Sequence, residues 1–210
     1  DMIIVGEYVG TPGLSAVSQS SQILNFATMV CFGFSNAGQV IIAQYIGGGK
    51  KEKIGKFIGT MSSFLFLSAV IISAVSIYFQ DYLLIFMKTP DTAYVSASEY
   101  SFICMLGLVF IYGYNMVSAV LRGMGDSKHP FIFISIAAVL NVLLDFLFVY
   151  NGKGAAGAAL ATVSGSIVQT VILIAYILLG KTSLHIAKPY KWFIRNQWSW
   201  VRYSSYKTFY

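Results

Sequence analysis

Apolar stretches of about 20 residues or more, each long enough to cross a hydrocarbon core about 30 Å thick, recur along this chain rather than appearing once at its start. Of its 210 residues 57% are apolar and 10% charged, against about 45–50% and about 25% in soluble domains. The pattern argues against a water-soluble fold and for a polytopic membrane protein. The chain opens at Asp1-Met2-Ile3-Ile4-Val5 with neither a basic flank nor a cleavage site, so no signal peptide is read. It is instead expected to begin inside a hydrophobic segment.

Gly, Pro and charge clusters divide the sequence into six expected helices. The first covers about residues 1 to 9, truncated at its start and closed by Gly10-Thr11-Pro12-Gly13. The second covers about 14 to 46 and stops at Gly47-Gly48-Gly49, and the third about 52 to 79, broken by Gln80-Asp81. Tyr82 to Met87 reads as a short interfacial helix. Thr89-Pro90-Asp91 starts a fourth helix over about 91 to 121, with Asp91 or Thr92 as its cap. A fifth over about 128 to 150 and a sixth over about 155 to 180 are separated by Asn151-Gly152-Lys153-Gly154. Residues 181 to 210 form a basic, aromatic tail without a spanning segment, cytoplasmic or lying along the interface through Trp192, Trp198, Trp200, Tyr203 and Tyr206.

The net charge of +6 is no nucleic-acid signal, because the basic residues lie in the connections between apolar runs. One side collects Lys50, Lys51, Lys53, Lys56, Arg122, Lys128 and the six after residue 180, whereas the other has Lys88 and Lys153. The positive-inside rule places the richer side in the cytoplasm, giving a multi-pass protein of the cell membrane with a cytoplasmic C-terminal tail. Cys31 and Cys104 lie in separate apolar runs and read as small hydrophobes in helix packing, not as a disulfide or a metal site.

The informative residues are the polar ones inside apolar runs. Of eight acids, Glu7, Glu52, Asp81, Asp91, Glu99 and Asp126 can be placed near helix ends or in loops, which leaves Asp1 and Asp145. A carboxylate as deep as Asp145 costs about 2.5–3.5 kcal/mol to insert. Asn141, four residues earlier, shares its helix face, and an amide can hydrogen-bond either protonation state of a carboxyl. A buried Asp can bind and release a proton, or hold a sodium ion with neutral oxygens beside it. The competing reading is a protonated Asp that only joins helices.

Thr162, Ser166 and Gln169 form one polar stripe on the sixth helix at i, i+4 and i+7. Tyr112, Asn115 and Ser118 repeat on the fourth helix, and Gln22 with Asn25 and Asn36 with Gln39 on the second. Ser and Thr hydroxyls often bond back to their own helix, so only the concentration of such groups argues for a polar cavity. Gly, Ala and Ser are dense from Gly152 to Gly165, which permits close helix contact. Met29, Met105 and Met116, with the many aromatic residues, suit varied organic ligands as well as packing. No nucleophile, base and orienter set occurs, so an enzyme is not expected.

Leu121-Arg122-Gly123-Met124-Gly125-Asp126-Ser127-Lys128-His129-Pro130, then Asn141 and Asp145, then Gly154-Ala155-Ala156-Gly157-Ala158-Ala159-Leu160-Ala161-Thr162 form an ordered set that resembles the multidrug-and-toxin-extrusion (MATE) family. Asp1-Met2-Ile3-Ile4-Val5-Gly6 is similar to the family's first-helix motif, and Gly38-Gln39-Val40-Ile41-Ile42-Ala43-Gln44-Tyr45-Ile46-Gly47 to the end of its second helix. The likeness extends over about residues 1 to 180.

The resemblance implies an all-α bundle, the six-helix N-terminal lobe of a twelve-helix, two-lobe antiporter that exports organic cations or drugs against sodium ions or protons. It implies a cation site, sodium or proton, on Asp1, Asn141, Asp145 and Thr162, with Asn115, Tyr112, Ser166, Gln169 and Gln39 as candidate cavity-lining residues. No cofactor beyond the coupling ion is implied. The expected partners are membrane lipid, small organic cations, and a C-terminal lobe or a second copy, since no second set of helices follows residue 180. The alternatives are a truncated, non-transporting membrane fragment and a lipid-linked oligosaccharide flippase of the same broad superfamily. A flippase should line its cavity with basic residues, and none of the fourteen Lys or Arg falls mid-helix.

Overall fold

Turn-forming residues divide the apolar runs at the places where the helices end. A computed structural model describes residues 2–179. Its helices are α1 (Met2–Val9), α2 (Thr11–Gly47), α3 (Lys51–Tyr78), α4 (Gln80–Phe86), α5 (Asp91–Leu106), α6 (Leu108–Gly123), α7 (Lys128–Phe148) and α8 (Gly154–Leu178). A π turn, Val149–Lys153, joins the last two. Among the described residues there is no strand. The tail over 181 to 210 lies outside the described residues.

Lys128–Ile177 is one stretch of 50 residues containing an 18-residue window of mean hydropathy 2.5, and only its turn makes two helices of it. Gly152 sits there at φ 79°, a conformation that L side chains rarely adopt. The chain reverses, and α7 packs along α8. Thr11–Gly47 and Glu52–Tyr78 are each long and apolar enough to cross a bilayer. The expected helix over 91 to 121 is two helices instead: α5 and α6 meet at Gly107 at an angle of 48° and cross as a bent pair.

The bend has a local cause. A Cβ on Gly107 would collide with the side chain of Val163, so the bare backbone lets α8 press into the corner. The break leaves the Met105 carbonyl without the amide a straight helix would supply, and the Ser73 hydroxyl of α3 donates to it at 2.7 Å. Across the corner Thr170 of α8 donates to the Phe110 carbonyl at 2.9 Å. Lipid provides no hydrophobic force between helices, so contacts of this kind and close packing hold a membrane bundle together. Ser20 likewise donates to the Ala97 carbonyl at 2.9 Å, and Tyr112 to the Ala27 carbonyl at 2.6 Å. These bonds gather α3, α5, α6 and α8 around α2, with Tyr100, Tyr112, Leu108 and Leu173 in the core. Cys31 and Cys104 are buried and free.

Candidate functional site

The deepest acid is set between the two helices of the hairpin. Asp145 on α7 is fully buried, at 0% exposure. Small residues on α8 make this burial possible. A Cβ on Gly165 would lie 3.5 Å from the Asn141 Cβ, and one on Gly157 would lie 3.0 Å from the Phe148 carbonyl carbon. These two approaches define an antiparallel register that sets Asp145 level with Leu160 and the fully buried Ala161, one residue short of Thr162. Asn141 stands one turn from Asp145 on the same helix, half-buried. The amide is level with Gly165 and the carboxyl with Leu160 and Ala161, so Thr162 lies in the turn between their levels on the α7–α8 seam.

Thr162 has a neighbour that sequence reasoning missed. The Tyr100 hydroxyl on α5 lies close to the side chains of Thr162, Ser21 and Cys104, which brings α2, α5 and α8 together there. Tyr100 is 2% exposed, and in sequence it stands between Glu99 and Ser101 with nothing to single it out. Asp1 lies outside the described residues. Ser166 donates back to the Thr162 carbonyl at 3.0 Å, the local bond common for such residues.

The remaining candidates are engaged elsewhere. Asn115 donates to the Ile111 carbonyl of its own helix at 2.9 Å, and Tyr112 to α2 as above. The Gln39 side-chain oxygen accepts from Arg122 Nε at 2.9 Å, joining the ends of α2 and α6. Gln169 is 5% exposed with its Nε2 unpartnered among the described residues, and the Ser118 hydroxyl, 1% exposed, is likewise unpartnered. Both can serve water or a ligand. On α2 the amides of Gln22, Asn25 and Asn36 are exposed, interspersed with apolar side chains such as Phe26 and Met29.

A second cluster lies where α6, α7 and α8 meet. His129 Nδ1 stands 2.9 Å from each oxygen of Asp126, and the Tyr176 hydroxyl donates to Asp126 Oδ2 at 3.1 Å. The ionised carboxylate only accepts, so the imidazole proton sits on Nδ1. The His129 amide completes the set at 3.2 Å. Burial pushes the Asp126 carboxyl up, yet these donors together hold it below the ordinary carboxylate range. A carboxyl lowered in the folded state contributes stability that is present above its unfolded value and lost as pH falls through its native one. The melting temperature of the protein in detergent should therefore drop on acidification through the carboxylate range. Asp126→Asn should flatten that part of the profile, and an unchanged profile would remove Asp126 as its origin.

A model of the MatE family matches residues 1–147, and a model described as lipid II flippase MurJ matches residues 91–204. The chain is 30% identical over 194 residues to the probable multidrug resistance protein YpnP of Bacillus subtilis, covering 91% of this chain and 44% of that protein. It is 27% identical over 199 residues to the probable multidrug resistance protein YoeA of the same organism, covering 92% and 43%. A crystal structure of a MATE protein in the bent conformation superposes with TM-score 0.81 at 27% identity, over 87% of this chain and 41% of that one. The chain thus spans less than half the length of the relatives it matches.

Proposed function

Since the chain belongs to the MatE family, whose members are transporters and not enzymes, we propose that it acts as one lobe of a cation-coupled exporter of organic cations or drugs. Asp145 carries the reading: a fully buried carboxyl one turn from Asn141 on α7, with Thr162 of α8 between their levels. Carboxylate, amide and hydroxyl oxygens suit a hard cation such as sodium, and the carboxyl alone suits a proton. Asp1 completes this proposed set. Loading or emptying the set biases which side of the protein is open, and substrate follows.

The exposed amides of Gln22, Asn25 and Asn36 on α2 support a second lobe, or a second copy of this chain, across a shared cavity. Gln169 on α8 and Ser118 on α6 offer unpartnered polar groups, and Ser166, Asn115, Tyr112 and Gln39 are the further candidates for its lining. The side with Lys50, Lys53, Lys56, Arg122 and Lys128 is assigned to the cytoplasm, with residues 181 to 210 beyond it.

The MurJ match favours one alternative, flipping of a lipid-linked precursor. Phosphate cargo needs cations along its path, whereas Arg122 sits at the end of α6 on Gln39 and the buried ionisable side chain of the α7–α8 seam is an acid. Export of a cation is the better fit. The two separate in vesicles carrying the complete two-lobe protein, with sodium and pH gradients imposed one at a time. A cationic dye should leave under at least one gradient, and dye efflux indifferent to both would sink the coupling mechanism.

A further inference from the structure

Two outward faces of this lobe differ in chemistry. On α3 the exposed side presents Phe66, Leu67, Val70, Ile71 and Val75, and the hydroxyls of Thr60, Ser63 and Ser68 bond back to their own helix. No amide or charge interrupts this face between Lys56 and Gln80. The exposed side of α2 intersperses Gln22, Asn25 and Asn36 among apolar side chains such as Phe26 and Met29. The unbroken α3 face has the composition of a lipid contact.

That face runs on without a break into α4. Gln80 and Leu84 are turned inward, and Gln80 Nε2 donates to the Ser98 carbonyl at 3.0 Å and to its hydroxyl, which locks α4 onto α5. The opposite side is apolar and uncovered: Tyr78 is 77% exposed, Tyr82 71%, Ile85 66% and Phe86 84%. Phe79 bridges the corner, with its ring centroid 5.0 Å from that of Tyr78 and 6.2 Å from that of Tyr82. Asp81, Lys88 and Asp91 are exposed around it.

Length decides the depth. α3 has 28 residues, about 42 Å at 1.5 Å per residue, and a bilayer with its headgroups measures about 40–45 Å. When Lys50 and Lys53 stand in one headgroup layer, Tyr78 reaches the other, and α4 turns along it. Phenol rings with one polar end favour that boundary over either water or hydrocarbon.

We propose that α4 is an interfacial anchor, lying in the headgroup–acyl boundary of the leaflet opposite Lys50, Lys53 and Lys56, with Tyr78, Tyr82, Ile85 and Phe86 set into lipid. Its partner is the membrane surface, and its effect is to hold the α3–α5 hairpin at constant depth while Gln80 fixes its orientation.

Spin labels in the full chain, reconstituted into phosphatidylcholine–phosphatidylglycerol vesicles, test this. Cysteines introduced at Tyr82 or Phe86, with Val75 and Lys88 as references, replace the buried Cys31 and Cys104, each changed to Ala. Labels at 82 and 86 should collide with oxygen about as often as one at 75, and with a water-soluble nickel chelate several-fold less than one at 88. Nickel access equal to that at 88 would put α4 in water. Low access to both reagents would mean that protein, such as a second copy, covers it. Either result overturns the anchor. Should the cysteine background fail to fold, Phe86→Trp in a chain with Trp192, Trp198 and Trp200 changed to Phe gives a second readout. Lipids brominated near the headgroup end of the acyl chain should quench that Trp, and absence of quenching overturns the proposal equally.

Discussion

Asp145→Asn is expected to abolish ion-driven export while leaving the lobe as stable as before. The substitution keeps the shape of the side chain and removes its capacity to carry charge. A hydrogen bond or ion contact to a charged group is worth about 1.5–3 kcal/mol, so affinity for the coupling ion should fall about ten- to hundredfold. Stability should move the other way or not at all, because an inserted carboxylate costs about 2.5–3.5 kcal/mol at the centre of a membrane. The combination separates two roles for a fully buried acid. If Asp145 only glued α7 to α8, the variant would export normally under a sodium or pH gradient. Gradient-driven dye efflux and the melting temperature, measured on the same preparation of the complete two-lobe protein, distinguish these outcomes.

Gly123→Ala should lower stability by about 1–3 kcal/mol, the usual cost of overpacking a close contact, although alanine is the better helix former. A Cβ there would stand 2.7 Å from the Gln39 carbonyl oxygen and 3.1 Å from the Ile42 Cβ. The first of these is backbone of α2, which cannot swing aside as a side-chain tip can. Moving α6 away would also pull Arg122 from Gln39, whose bond at 2.9 Å joins the same two helix ends. Gly33 on α2 is the control, since a Cβ there meets nothing within 4 Å. Gly33→Ala should be neutral or slightly stabilising, by up to about 1 kcal/mol. Thermal melting in detergent reads both, and equal melting of the two variants would show that α2 and α6 are free to part.

Arg122 and Gly123 show how local motifs and long-range contacts differ in legibility. Their place at the end of a helix is read directly from Arg122-Gly123-Met124-Gly125-Asp126, where glycines and charge stop an apolar run. Their contact with Gln39 crosses 83 positions of chain, and no periodicity within one helix encodes it. The same holds for Tyr100. Helical spacing identifies the face shared by Asn141 and Asp145, but the meeting of Tyr100 with Thr162 depends on α5 and α8 crossing at the Gly107 corner. His129 stands at the start of the expected helix over about 128 to 150. Its approach to Tyr176 needs α7 and α8 folded back on each other.

By itself the sequence determined the solvent and the secondary structure: apolar runs of this length need lipid around them, and in lipid a backbone must satisfy its own hydrogen bonds, which makes them helices. It also marked Asp145 as an exception that membrane insertion penalises. Tertiary structure alone decided what the exceptions meet. It broke the expected helix over 91 to 121 at Gly107, because Val163 needs the space that a side chain would occupy. It left Asn115 on its own helix and sent Tyr112 to α2, while the α7–α8 register set Asp145 against Leu160 and Ala161. Periodicity tells which way a side chain points from its own axis; what it meets there is set by where the next helix can approach, and that depends on small residues far away in the chain.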